Sequence, residues 1–116
     1  MVINLHIGRD RLATRAWVRG RVRVYARRVS LSFIPTVAFG PVHKARAEYL
    51  HATRIARFDL QKHLCRHDAD DSAAHEVVHA RWPNLHHGDT FDRRVLALRS
   101  GARCGPRGSR LPEAYR

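Results

Sequence analysis

Two periods of apolar residues run along this chain. From Trp17, the valines Val18, Val22 and Val24 alternate with Arg19, Arg21 and Arg23, and alternation resumes after Arg27-Arg28 as Val29, Leu31 and Phe33 against Ser30 and Ser32. Period two with β-branched residues on one side marks a half-buried strand. Residues 17–33 therefore predict a basic β-hairpin turning near 26–28 and ending at Pro35, which cannot donate to a sheet ladder. After Gly40-Pro41 the period lengthens. Val42, Ala45, Tyr49, Ala52, Ala56, Leu60 and Leu64 recur at three- and four-residue steps, which predicts a long helix over 42–65 with Lys44, Arg46, Arg54, Arg57 and Lys62 on its other face. The acidic stretch Asp68-Ala69-Asp70-Asp71 reads as a loop. Ser72 or Asp71 can cap a helix over 72–82 that stops at Pro83. Thr90 or Asp89 can cap a last helix over 90–99, with Phe91, Val95 and Leu98 on its packing face.

Together these elements predict an α+β fold: one small domain over 17–100, an N-terminal basic hairpin packed on a long helix, and two shorter helices. Residues 1–16 show no sustained period and read as a poorly ordered N-terminus. Residues 101–116 carry Gly, Pro and Arg with little to pack, so a disordered basic tail is expected there. At 116 residues the chain holds one domain at most. Much of its 44% hydrophobic content is alanine, so the core must be thin.

Charge changes the picture more than composition does. The chain has 22 basic and 10 acidic residues, a formal net charge of +12. Arginine supplies 20 of the 22, and its fork matches phosphate. Arg19, Arg21, Arg23, Arg27 and Arg28 would project from the hairpin, with Trp17 and Tyr25 nearby to stack on unpaired bases, and Arg54 and Arg57 from the long helix. No helix-turn-helix, RNP or KH signature accompanies them, so the contact expected is non-specific. A GC-rich coding bias also favours arginine over lysine, and the same composition arises from a non-coding frame of GC-rich DNA with no selected function.

Cys65 and Cys104 make no disulfide framework. The longest apolar run, Val29 to Phe39, is too short and too interrupted to cross a membrane. These features suit a cytoplasmic protein. The first 47 residues, with nine Arg, one Lys and a single acid, Asp10, also resemble an organellar transit peptide in composition.

Histidines carry the remaining chemistry. Six of the nine lie between residues 63 and 87. His75-Glu76-Val77-Val78-His79 falls inside a predicted helix, where residues i and i+4 share a face. Two imidazoles one turn apart suit tetrahedral zinc, and Glu76 beside them would serve as general base for an attacking water. These five residues resemble the active-site motif of zincin metallopeptidases. The resemblance implies a zinc-dependent hydrolase with His75 and His79 as ligands and Glu76 as base. It departs from the extended pattern His-x-x-Gly-x-x-His, because Trp82 and Leu85 stand where the glycine and third histidine would be. The third ligand therefore stays open among His86, His87 and Asp89, with Asp92 and Glu113 further off. A structural zinc site drawing on His63, Cys65 and His67 together with His75 and His79 is a separate option.

Composition thus favours a non-catalytic binder of nucleic acid or another polyanion, needing no cofactor. The motif favours a minimal zinc hydrolase.

Overall fold

The valines among the N-terminal arginines lie on a helix. The computed structural model of the protein describes residues 12–63, 65–105 and 111–116 and opens with helix α1 over Arg15–Arg28. Thr14 caps it: the Trp17 amide donates to Thr14 Oγ1 at 3.1 Å, satisfying one of the free amides of the first turn. Val18, Val22, Tyr25 and Ala26 are buried along it, and Val29 just beyond. Their spacing is that of one helical stripe. This corrects the hairpin expected over 17–33. An arginine at every second position imitates strand alternation, but the residues that reach the core are three and four apart, and packing overrides the β-preference of valine.

The helix expected over 42–65 is corrected as well. Strand β1 (Thr36–Phe39) precedes β2 (Ala47–Leu50) and β3 (Ile55–Phe58), and a 3-10 turn follows at Leu60–Lys62. The sheet order is β1-β3-β2. β3 runs parallel to β1, with Thr36 opposite Ile55, and antiparallel to β2, with Ala47 opposite Phe58. Within β3, Ala56 and Phe58 are buried while Ile55 and Arg57 are half-buried, a period of two masked by the surrounding alanine spacing. Arg54 closes the β2–β3 turn at φ 56°.

Helix α2 (Arg66–Arg81) absorbs the acidic stretch expected to be a loop. Asp68 lies in its first turn, where the helix dipole favours a carboxylate. Neither proposed cap acts as one. Cys65 holds the cap position, Ser72 Oγ lies buried 2.9 Å from His63 Nε2, and Asp71 accepts from Arg46 and Arg99. Helix α3 (Asp89–Arg99) forms where expected and buries Phe91, Val95 and Leu98.

α2 is the centre of the fold, packed by α1, α3 and β2. Ala69, Ala73 and Ala74 are fully buried on it; small side chains let the neighbouring helices approach closely, which is how a thin core closes. The expectation of a single small α+β domain holds. The tail requires a correction. Residues 106–110 lie outside the described residues, but 111–116 return to the core. Tyr115 is fully buried, its hydroxyl donates to the Ala102 carbonyl at 2.5 Å, and its own carbonyl accepts from Arg94 Nε at 2.8 Å. Of the residues expected to be a poorly ordered N-terminus, 1–11 lie outside the described residues. Among the described residues, no helix is long and apolar enough to cross a membrane.

Candidate metal centre

α2 carries His75 and His79 one turn apart, and Pro83 ends the helical run. The following loop turns at Leu85, whose amide donates to the Trp82 carbonyl at 3.0 Å. It ends at Gly88, with φ 156° and ψ −168°, a conformation essentially restricted to glycine. Gly88 starts α3 and returns His87 across α2. His87 Nε2 then lies 3.1 Å from His75 Nε2 and 2.9 Å from His79 Nε2. The ligand atoms of the three histidines all lie within 4.8 Å of one another. Bonds of 2.0–2.1 Å to a tetrahedral zinc place its nitrogens about 3.3 Å apart, so this spacing lies within a few tenths of an ångström of a zinc site at two of its edges. Phe91 of α3 forms an apolar floor, its ring centroid 4.6 Å from those of His75 and His79 and 4.9 Å from that of His87.

The electrostatics suit a cation. Burial, then His75, His87 and His51, pushes His79 down to about 4. Burial and His87 lower His75 as well. Both imidazoles are therefore neutral at pH 7 and hold a lone pair. A neutral imidazole has one donor and one acceptor nitrogen. Three Nε2 atoms aimed at one point cannot satisfy each other, because a proton on any one of them serves a single neighbour. A divalent cation at that point satisfies all three, so the residues present fit zinc.

Glu76 is 4% exposed. Burial, reinforced by Glu48, raises its carboxyl to about 8. It lines a cleft of about 260 Å³ with His75, His87, Ser72, Asp71 and the 45–47 segment that leads into β2. A divalent charge on the neighbouring histidines would favour its carboxylate form.

Of the open third-ligand candidates, the fold joins His87 to His75 and His79. His86 and Asp89 are exposed and outside the group, as are Asp92 and Glu113. The alternative set around Cys65 is not assembled. His63 is buried between the Asp59 carbonyl at 2.7 Å and Ser72 Oγ at 2.9 Å, and His67 lies against Arg99.

The arginines expected to share one surface are divided. Arg19, Arg23 and Arg27 are exposed on α1. Arg21 turns inward to Asp70 at 2.8 Å, Arg28 donates to the Leu98 carbonyl at 3.1 Å, and Arg57 pairs with Glu48 at 3.7 Å across the β2–β3 ladder. Arg54 covers the ring of Phe33 at 4.1 Å. Sequence reasoning missed Phe91 and Gly88 as parts of the site and Arg15 as a surface cation. The signals were present: Phe91 falls on the apolar stripe of α3, and Gly88 is the only glycine between the motif and that helix.

No protein-family model matches this chain, nor does any curated protein or solved structure.

Proposed function

We propose that the protein is a minimal zinc-dependent hydrolase of the metallopeptidase kind, with His75, His79 and His87 as metal ligands and Glu76 as general base. The observation that carries this reading is the gathering of three imidazoles, His75, His79 and His87, over an apolar floor, with the buried Glu76 carboxyl lining the same cleft. Zinc held there would supply Lewis acidity. Glu76 takes the proton of the attacking water and returns it to the leaving group, a role that requires its carboxylate form, which a divalent charge on the neighbouring histidines would favour. The neutral state of His75 and His79 keeps their lone pairs free down to mildly acidic pH, and Phe91 excludes water from beneath them.

Zinc content of purified protein, measured by mass spectrometry, tests the metal. About one zinc per chain, lost in His75→Ala/His79→Ala, is the expected result. Cleavage of fluorescein-labelled casein tests the chemistry: Glu76→Gln should keep the metal and lose the cleavage. A folded protein without bound zinc, or an unchanged rate in Glu76→Gln, overturns the reading.

A further inference from the structure

From Arg11 to Ala47 the chain holds no acidic residue, and α1 lies at the centre of that stretch. Arg15, Arg19, Arg23 and Arg27 recur every fourth residue, so they share the solvent side of the helix, and all four are exposed. The ion pairs among the described residues engage Arg21, Arg46, Arg57, Lys62 and Arg99, and none of these four. The remaining exposed positions of α1 are Ala16 and Gly20. The face therefore offers cations over about 18 Å of helix and no large apolar side chain to enter a bilayer.

One aromatic ring stands beside two of these cations. Phe39, half-buried at the end of edge strand β1, has the Arg15 and Arg19 guanidinium carbons 5.3 Å and 5.2 Å from its ring centre. Guanidinium groups that follow a backbone, alternating with rings on which bases stack, form the recognition surface of single-stranded nucleic acid.

We infer that the exposed face of α1, with Phe39 beside it at the end of β1, binds single-stranded nucleic acid through its phosphates and bases without reading sequence. The surface shares no residue with the histidine cluster and does not depend on the metal. Arginine stays charged throughout the accessible range, so this binding should not change between pH 6 and 8.

Fluorescence anisotropy with labelled oligo-dT and oligo-U of 20 nucleotides tests the inference on the full chain; the two probes separate DNA from RNA as the source. Four phosphate contacts to a single strand imply a log–log salt slope of about −2.8, or about a fiftyfold loss of affinity between 50 and 200 mM NaCl. Arg15→Gln/Arg19→Gln/Arg23→Gln/Arg27→Gln should abolish most of that slope while leaving the fold intact, because glutamine is a good helix former. Phe39→Leu keeps an apolar side chain against Phe58 and removes the stacking face, and should weaken binding about fivefold or more. Retained binding in the arginine variant, tighter binding to a duplex of equal length, loss of binding in EDTA, or no binding to either probe at 50 mM NaCl overturns the inference.

Discussion

α2 carries two polar clusters, and they differ in one respect that separates scaffold from site. Its N-terminal half bears Asp70 and Asp71, already clamped by cations. Asp70 accepts from Arg21 Nε at 2.8 Å, from Arg99 Nε at 3.0 Å and from the Tyr25 hydroxyl at 2.7 Å. Asp71 accepts from Arg46 at 3.2 Å and Arg99 at 3.1 Å. These contacts tie α1, α2, α3 and the segment before β2 together. One turn further on, His75 and His79 both face His87 Nε2, which can hydrogen-bond to only one of them at a time. The first cluster is complete within the chain; on the proposed function the second is completed by a cation. Two clusters on one helix, with similar burial, are therefore expected to respond in opposite ways to the same kind of substitution.

The largest effect should come at the histidines. His79→Ala removes a ligand and is expected to lower zinc affinity by more than about a hundredfold, since even residues behind a ligand are worth 10–100-fold. Without metal it should alter thermal stability little, because it also removes a desolvated group. Competition with a chromophoric chelator measures the affinity. An affinity within a few fold of the parent would dissolve the distinction between the clusters.

Asp70→Asn should show the converse. Removing one charge leaves Arg21 and Arg99 half-buried without their carboxylate, and a loss of about 2–4 kcal/mol is expected in urea unfolding, with zinc affinity in the folded protein unchanged. The pH dependence has a definite sign. Burial pushes the Asp70 carboxyl up, but hydrogen bonds from Tyr25, Arg21 and Arg99 outweigh it and hold the group below its ordinary 3.8. The unfolded chain therefore takes up this proton first as pH falls. The stability Asp70 contributes is complete above its unfolded value and is lost as pH drops through its lower folded value. Asp70→Asn should flatten the curve over that acid window; an unchanged curve would place the sensitivity elsewhere.

Gly88→Ala acts on the loop between α2 and α3 that carries His87. At φ 156° a side chain strains the backbone by about 1–3 kcal/mol, and the space around Gly88 is open, so the strain is purely conformational. Relief by loop movement should displace His87 and lower zinc affinity about tenfold, with His75 and His79 left in place. Retained affinity would make His87 dispensable and return the third-ligand question to His86 or Asp89.

The two clusters also differ in how far the sequence revealed them. His75, Glu76 and His79 were legible because the motif is local, and a helix around it follows from spacing, though its start at Arg66 and its cap at Cys65 do not. His87 could be narrowed only to a set, because its place depends on one glycine conformation and on how α3 docks. The acidic cluster was misread as a loop, since its partners lie 49 residues away at Arg21 and 29 away at Arg99. The class of fold and α3 were legible, while α1 and the β2–β3 pair were exchanged in type. In both exchanges a short-range period, alternation at 17–33 and three- and four-residue steps at 42–65, competed with long-range packing, and the packing decided.

α1 provides the smallest test and a control for the others. Its valines and the mid-helix Gly20 weaken helix propensity, which is part of why the segment reads as a strand. Nothing lies within 4 Å of a side chain added at Gly20, and its φ is not in the positive region. Gly20→Ala should therefore stabilise the protein by about 0.5–1 kcal/mol. Because Gly20 touches neither cluster, zinc affinity should stay constant while the melting temperature rises. If instead zinc binding tightened with overall stability, the losses expected of His79→Ala and Gly88→Ala could no longer be assigned to ligand geometry. If Gly20→Ala destabilised the chain, the strand reading of residues 17–33 would regain its ground, because alanine helps a helix and weakens a strand.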